Sequence, residues 1–178
     1  MIVIINGSLG VGKSSVAEQL RQRFEKSVCL NGDHIGDVYP FEIYSDARIA
    51  HLYATFELLI EFHQQHGYEN FVIDYVFESS ASLRDLLERL QVLDPAVHAY
   101  WLTCEKEEQA KRMRGRNREN LDWELRRFAE LQEIQKQASE VGSLGEEVDT
   151  THLSVSEIAE AVWTDIHSEA LCGPRLCG

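Results

Sequence analysis

The 178-residue chain is predicted to fold as one α/β domain, a parallel β-sheet covered by helices. Two observations carry this. Short apolar runs bounded by polar or turn residues alternate with longer segments whose apolar residues recur at helical spacing, and strands separated by helical crossovers pair in parallel. The first apolar run also passes directly into Gly7-Ser8-Leu9-Gly10-Val11-Gly12-Lys13-Ser14 and then into an amphipathic stretch. Strand, glycine-rich turn and helix in that order make an anion-binding junction.

The elements follow in order. Ile2–Asn6 is a buried strand. In the turn after it, glycines stand where the backbone must wrap an anion and point its N–H groups inward. The pattern G-x-x-x-x-G-K-[ST] is that of a phosphate-binding P-loop. Gly7, Ser8, Leu9, Gly10, Val11, Gly12, Lys13, Ser14 and Ser15 are therefore the candidate nucleotide-binding residues, with Lys13 on the β- and γ-phosphates and the Ser14 hydroxyl on Mg²⁺. Val16, Leu20 and Phe24 at spacing four predict a helix over 13–26.

Ser27–Asn31 is the second strand. It ends in Asn31-Gly32-Asp33-His34-Ile35-Gly36-Asp37, at the carboxyl edge where ligands of such sheets bind. Asp33 is the candidate base that takes a proton from a substrate hydroxyl attacking the γ-phosphate, with an Asx turn or helix cap as its structural alternative and Asp37 in reserve. Ile49, Leu52, Tyr53, Phe56, Leu59, Ile60 and His63 predict a helix over 46–66. Its histidines, His51, His63 and His66, have no acidic or cysteine partner at a ligand-like offset and read as surface residues of that helix.

Asn70–Tyr75 is the third strand. Phe71-Val72-Ile73-Asp74 is an apolar run ending in a carboxylate, so Asp74 is a candidate for Mg²⁺ or substrate, against the alternative of a helix cap or an arginine partner. Ser80–Leu90 is a helix capped by Ser79 or Ser80 and stopped before Asp94-Pro95. The fourth strand is Val97–Thr103, followed by helices over 105–113 and 122–141, the second with Leu121, Leu125, Phe128, Leu131 and Ile134 on one face. A weak strand over 147–150 and a helix over 154–166, with Ser154 or Ser156 as cap and Glu157 in its first turn, close the domain at about residue 167. Residues 168–178, rich in Gly, Cys and Pro, read as a loosely held tail.

Lys111-Arg112-Met113-Arg114-Gly115-Arg116-Asn117-Arg118 concentrates positive charge in a chain of formal net charge −13. It reads as a lid over about 111–120 that closes on the triphosphate, bringing Arg112 or Arg116 to charge developing on the transferred group. Tyr39, Phe41, Tyr44, Arg48, Tyr75 and Phe77, with Asp33 and Asp74, are the expected walls of an acceptor pocket. The acidic balance argues against duplex nucleic acid or an anionic membrane as partner. No apolar run is long enough to cross a bilayer, and the chain starts on a core strand, so a cytoplasmic protein, monomer or homodimer, is expected. Cys29 and Cys104 read as small hydrophobes in or beside strands.

Taken together, the P-loop, the Asn-Gly-Asp after the second strand, Asp74, the arginine run and Val148-Asp149-Thr150-Thr151 before Ser154-Val155-Ser156-Glu157 resemble the P-loop kinases of the shikimate kinase, gluconate kinase, adenylylsulfate kinase and chloramphenicol phosphotransferase group. The resemblance spans nearly the whole chain. It implies a three-layer, nucleoside-monophosphate-kinase-like P-loop NTPase fold with five parallel strands in the order 2-3-1-4-5. It implies ATP and Mg²⁺, Asp33 in the place of the aspartate that activates the acceptor hydroxyl, Arg112 or Arg116 as lid arginines, and the Thr150–Thr151 loop beside the adenine. Asn31 departs from it, standing where several relatives have a second aspartate, and no shikimate- or gluconate-specific acceptor signature is present. The expected activity is transfer of the ATP γ-phosphoryl group to a hydroxyl, or a phosphate, of a small metabolite, nucleoside-like or drug-like molecule. An NTP-hydrolysing or nucleotide-binding regulatory protein and a polynucleotide 5′-kinase are the alternatives; the chain lacks the N-K-x-D guanine signature.

Overall fold

Alternation along a strand sends successive side chains to opposite faces, and Ile2–Gly7 (β1) is buried at every position. Ile2 and Ile4 join one apolar layer with Leu30, Leu52, Phe56, Phe71 and Ile73. Val3 and Ile5 join the other with Val16, Leu20, Val72, Leu102 and Val162. The computed structural model describes residues 1–42, 45–115 and 121–172. Lys13–Arg21 (α1) follows the P-loop and leads to Ser27–Asn31 (β2), Gly32–Ile35 (α2), Asp46–Gln65 (α3), Asn70–Asp74 (β3) and Ser80–Leu93 (α4). Val97–Thr103 (β4), Lys106–Arg114 (α5), Leu121–Val141 (α6), Glu146–Asp149 (β5) and Val155–Cys172 (α7) complete the order.

The five strands are all parallel, in the order β2-β3-β1-β4-β5. Helices cover both faces, so the sheet is the middle of three layers. The register aligns the carboxyl ends that build the site: Asn31 lies opposite Asp74, and Asp74 opposite Ile5, two residues before the P-loop.

Most element ends lie within three residues of the sequence expectation, and three differences are larger. α1 stops at Arg21 rather than running to residue 26; Phe24, past its end, still packs edge-on against Trp163 of α7 at 4.9 Å. The segment after β2 is a short helix rather than a plain turn, because Asn31 Oδ1 accepts from His34 N at 2.9 Å and caps it. α7 continues to Cys172, beyond the last stripe residue Ile166; the helix-permissive Ser168-Glu169-Ala170-Leu171 carries it up to the Gly173-Pro174 stop in the sequence. Its start matches the expected capping box, with Ser154 Oγ accepting from Glu157 N at 3.3 Å and Glu157 Oε2 accepting from Ser154 N at 2.8 Å. Among the described residues, no helix is long and apolar enough to cross a membrane.

Candidate active site

The P-loop holds its curve through backbone conformations that side chains rarely adopt. Gly12, at φ 112°, precedes α1 without a side-chain cap, so the first N–H groups of that helix are left for an anion. A Cβ on Gly12 would meet nothing within 4 Å, as befits the open side of a cradle. Gly10, at φ 81°, is pressed from the opposite side: a Cβ there would lie 2.4 Å from Met113 Cγ of α5. Lys13 is nearly buried and its Nζ donates to the Ser8 carbonyl at 3.2 Å, folded along the loop it serves.

Amide side chains brace this loop from outside. Gln109 of α5 donates from Nε2 to Ser8 Oγ and to the Leu9 carbonyl, both at 2.6 Å, and Gln132 of α6 donates to Gln109 Oε1 at 3.2 Å. Behind the loop, buried Asn6 accepts at Oδ1 from Gly7 N at 2.7 Å, Phe77 N at 2.9 Å and Gln135 Nε2 at 3.2 Å. Gln135 also donates to the Phe77 carbonyl at 2.9 Å. These bonds tie β1, the segment after β3 and α6 into one frame, and each satisfies a polar group that would be costly to bury unpaired.

At the carboxyl end of β3, Asp74 is 2% exposed. Its Oδ2 accepts from Ser14 Oγ at 2.6 Å and from Asn31 Nδ2 at 2.8 Å, both neutral donors. The Ser14 hydroxyl and the buried Asp74 carboxylate set two hard oxygen ligands side by side, which fits a small divalent cation at the phosphates, with the Asn31 amide N–H orienting the carboxylate. In the middle of β2, burial first and the Asp74 charge second push the Cys29 thiol up to about 11.

A cavity of about 460 Å³ opens beside the P-loop. Leu9 of the loop, Asp33 of α2, Arg48 of α3, Glu78, and Trp123 and Arg127 of α6 stand on its wall. Arg48 donates to the Glu42 carbonyl at 3.0 Å and to the Tyr75 hydroxyl at 3.3 Å, and its guanidinium lies 4.8 Å over the Phe41 ring. Burial pushes the Tyr75 phenol up, against the opposing pull of Arg48. Arg127 is ion-paired to Glu78 and, at 3.3 Å, to Glu130. A second cavity of about 370 Å³ shares Arg48, Tyr75 and Glu78 and is also lined by Tyr53 and Phe77. Phe77 itself is 1% exposed, its ring edge-on to Tyr75 at 5.3 Å. Tyr39 lines neither cavity; at 98% exposure it points to solvent. Tyr44 lies outside the described residues.

On the other side of the P-loop, a cavity of about 390 Å³ is lined by Gly10, Gly12, Ser15, Arg112, Leu153 and Val155. Arg112 donates to the Thr150 carbonyl at 2.8 Å, the Thr151 carbonyl at 3.1 Å and Thr150 Oγ1 at 3.2 Å. The structure thus brings Arg112, Thr150, Thr151 and the P-loop together. Lys111 to Arg114 form the last turn of α5, where basic residues offset the helix dipole. Arg116 and the rest of the basic run to residue 120 lie outside the described residues.

Sequence reasoning missed Asn6, Gln109, Gln135, Trp123 and Arg127. For Gln135 a signal existed: it follows Phe128 and Leu131 at helical spacing, a polar residue on an apolar stripe. Arg127 offered none, since an arginine on a mixed helix is ordinary.

The AAA domain family matches residues 3–132, most of the chain and the whole of the P-loop half. The chain belongs to that family. It is 30% identical over 178 residues to the Archaeoglobus fulgidus protein named "Putative adenylate kinase", covering 91% of this chain and 80% of that one. A sugar kinase structure from Janibacter sp. has the same fold at TM-score 0.66 and 15% identity, with 93% of this chain and 94% of that one covered. The Deinococcus radiodurans tunicamycin resistance protein does so at TM-score 0.64 and 19% identity, over the same shares of the two chains. This AAA-domain chain is a phosphotransferase of the P-loop kinase group.

Proposed function

We propose that the protein transfers the γ-phosphoryl group of ATP to a hydroxyl of a small acceptor held in the cavity beside Asp33. The observation that carries this reading is the joint wall of that cavity, where the P-loop residue Leu9 and the carboxylate of Asp33 face the same space. The acceptor O–H bond breaks as its oxygen attacks the γ-phosphorus, the proton passes to Asp33, and the β–γ bridging oxygen leaves with ADP. Lys13 moves from the Ser8 carbonyl to the phosphates, and backbone N–H groups of the loop after Gly7 and of the start of α1 hold the remaining oxygens. Ser14 and Asp74 would hold Mg²⁺, which when bound neutralises phosphate charge. Asn31 orients Asp74, and the base of ATP lies against Arg112 and the Thr150–Thr151 loop. The lid arginine at the transferred group is Arg116, or Arg112 if it leaves its carbonyl anchors. Positioning and fixed charge supply most of the rate in such a transfer. The enzyme acts in the cytoplasm.

A phosphoryl-transfer screen with labelled ATP over nucleosides, nucleotides, sugar acids, aminocyclitols and phenolic drugs tests this reading. With the acceptor found, Asp33→Asn lowers transfer by about 10²-fold or more and leaves ATP affinity unchanged. Equal loss of ATP binding would give Asp33 a structural or metal role and remove the base. Transfer to the phosphate of a nucleotide is the second reading, favoured by the name of the Archaeoglobus fulgidus relative.

A further inference from the structure

We propose that the acceptor carries no anionic group: it is a hydroxylated ring compound, neutral or aminated, seated between Phe41 and Trp123. This rests on the kinase reading and chooses within it. Both arginines on the described wall are engaged. Arg127, with its side chain 11% exposed, is paired to Glu78 and Glu130, and Arg48 is bonded to the Glu42 carbonyl and the Tyr75 hydroxyl while stacked on Phe41. To clamp a carboxylate or phosphate, either would have to give up these bonds. Freeing Arg127 would also strand Glu78 on the wall of the same cavity, and removing one partner of a part-buried ion pair costs more than an exchanged contact returns.

The remaining charges point the same way. Asp33, Asp37, Glu78 and Glu124 outnumber Arg48 and Arg127 on the described wall, so its formal charge is negative. An entering anion meets like charge at close range, whereas an ammonium is attracted. Phe41 is 53% and Trp123 51% exposed, large apolar surfaces on the wall of this cavity. Such surfaces cover a ring, and Trp123 favours a cation over its face. A cavity of about 460 Å³ has the size of a small-molecule site.

Two matched pairs of acceptors decide the matter: a nucleoside with its 5′-monophosphate, and an aminocyclitol with a sugar acid of similar size. Transfer from labelled ATP is measured with the full chain, and binding by calorimetry in the presence of a nonhydrolysable ATP analogue and Mg²⁺. The non-anionic member of each pair is expected to bind about 10-fold more tightly or better and to be the one phosphorylated, with the aminocyclitol preference shrinking as salt rises. Asp37→Lys is expected to shift selectivity by about 10-fold toward the anionic members, its folding checked by thermal melting. Preferred transfer to the monophosphate or the sugar acid would overturn this inference and leave the kinase reading standing. Failure of all four compounds to bind or react would overturn it as well, and if ATP also went unbound the kinase reading would fall with it.

Discussion

Replacing Asn31 with aspartate would turn a hydrogen bond into a charge clash at the carboxyl edge of the sheet. Asn31 Nδ2 donates to Asp74 Oδ2 at 2.8 Å while Oδ1 accepts from His34 N at 2.9 Å. Asn31→Asp keeps the second bond, so α2 stays capped, but it sets two carboxylates in contact around a position that is 2% exposed at Asp74. Two unit charges about 4 Å apart repel by about 4 kcal/mol at an effective dielectric of about 20. A proton shared by the pair limits the damage: binding one at pH 7 costs about 4 kcal/mol for an aspartate of ordinary pKa, about 3.9. The variant is therefore expected to lose about 3–4 kcal/mol of stability at pH 7. The sign with pH follows from linkage. The pair binds its proton more tightly folded than unfolded, so the deficit is largest at neutral pH and narrows as pH falls toward 5. Mg²⁺ acts as the proton does, and millimolar Mg²⁺ with an ATP analogue should raise the melting temperature of the variant more than that of the native chain. Urea unfolding at pH 5.5 and 7, with and without Mg²⁺, reads both effects. Asn31→Ala is the control: it loses the cap and the bond to Asp74, about 1–3 kcal/mol, and adds no charge. If Asn31→Asp matches the native chain at pH 7, or its deficit is the same at both pH values, Asp74 is not the buried charge described above.

Gly10→Ala places a methyl group 2.4 Å from Met113 Cγ at a φ of 81°; it should cost about 1–3 kcal/mol and weaken ATP binding by about 10-fold or more, and a second change, Met113→Ala, should restore only the packing share. A nucleotide titration showing native affinity in the single variant would remove the brace from the P-loop account. The Cys29 thiol, raised from 9.0 in its reference state to about 11, should react with an alkylating agent at pH 8 about 10²-fold more slowly than a free thiol. Because the folded state holds that proton longer than the unfolded one, stability is complete below pH 9 and falls between about pH 9 and 11. Cys29→Val should flatten that part of the stability curve relative to the native chain, and an unchanged slope would count against it.

The strands and the P-loop were legible because each rests on local chemistry. A run such as Phe71-Val72-Ile73 has nowhere to go but a sheet interior, and a glycine-rich turn ending in Lys-Ser has one physical use. Asp74 was legible for the same reason, a carboxylate closing an apolar strand. What stayed hidden depends on contacts far apart in the chain. Gln109 meets Ser8 across 101 residues and Gln135 meets Asn6 across 129, and amides carry no periodic or charge signature that would announce either meeting. Tyr39 shows the reverse error: an aromatic near the right loop was expected on a wall, yet whether it turns inward is decided by backbone geometry that composition does not encode. α2 was missed because four residues are too few for a helical stripe, although its cap, Asn31, stood in plain view.

The open sheet leaves two outer strands, and β5 is one of them. In its four residues Glu146, Glu147 and Asp149 are all exposed. A second molecule seeking to extend the sheet there would bring its own carboxylates against these, so this border is guarded against end-on aggregation by charge rather than by cover. The guard works only while it is ionised. Asp149 is held below the usual carboxylate range by its bonds from the Thr151 hydroxyl and N–H, so it keeps its charge to lower pH than a free aspartate does. Solutions of the protein should therefore resist sheet-to-sheet association along this border while its carboxylates carry charge, and replacing Glu146, Glu147 and Asp149 with their amides should weaken that resistance without touching the fold at the centre of the sheet.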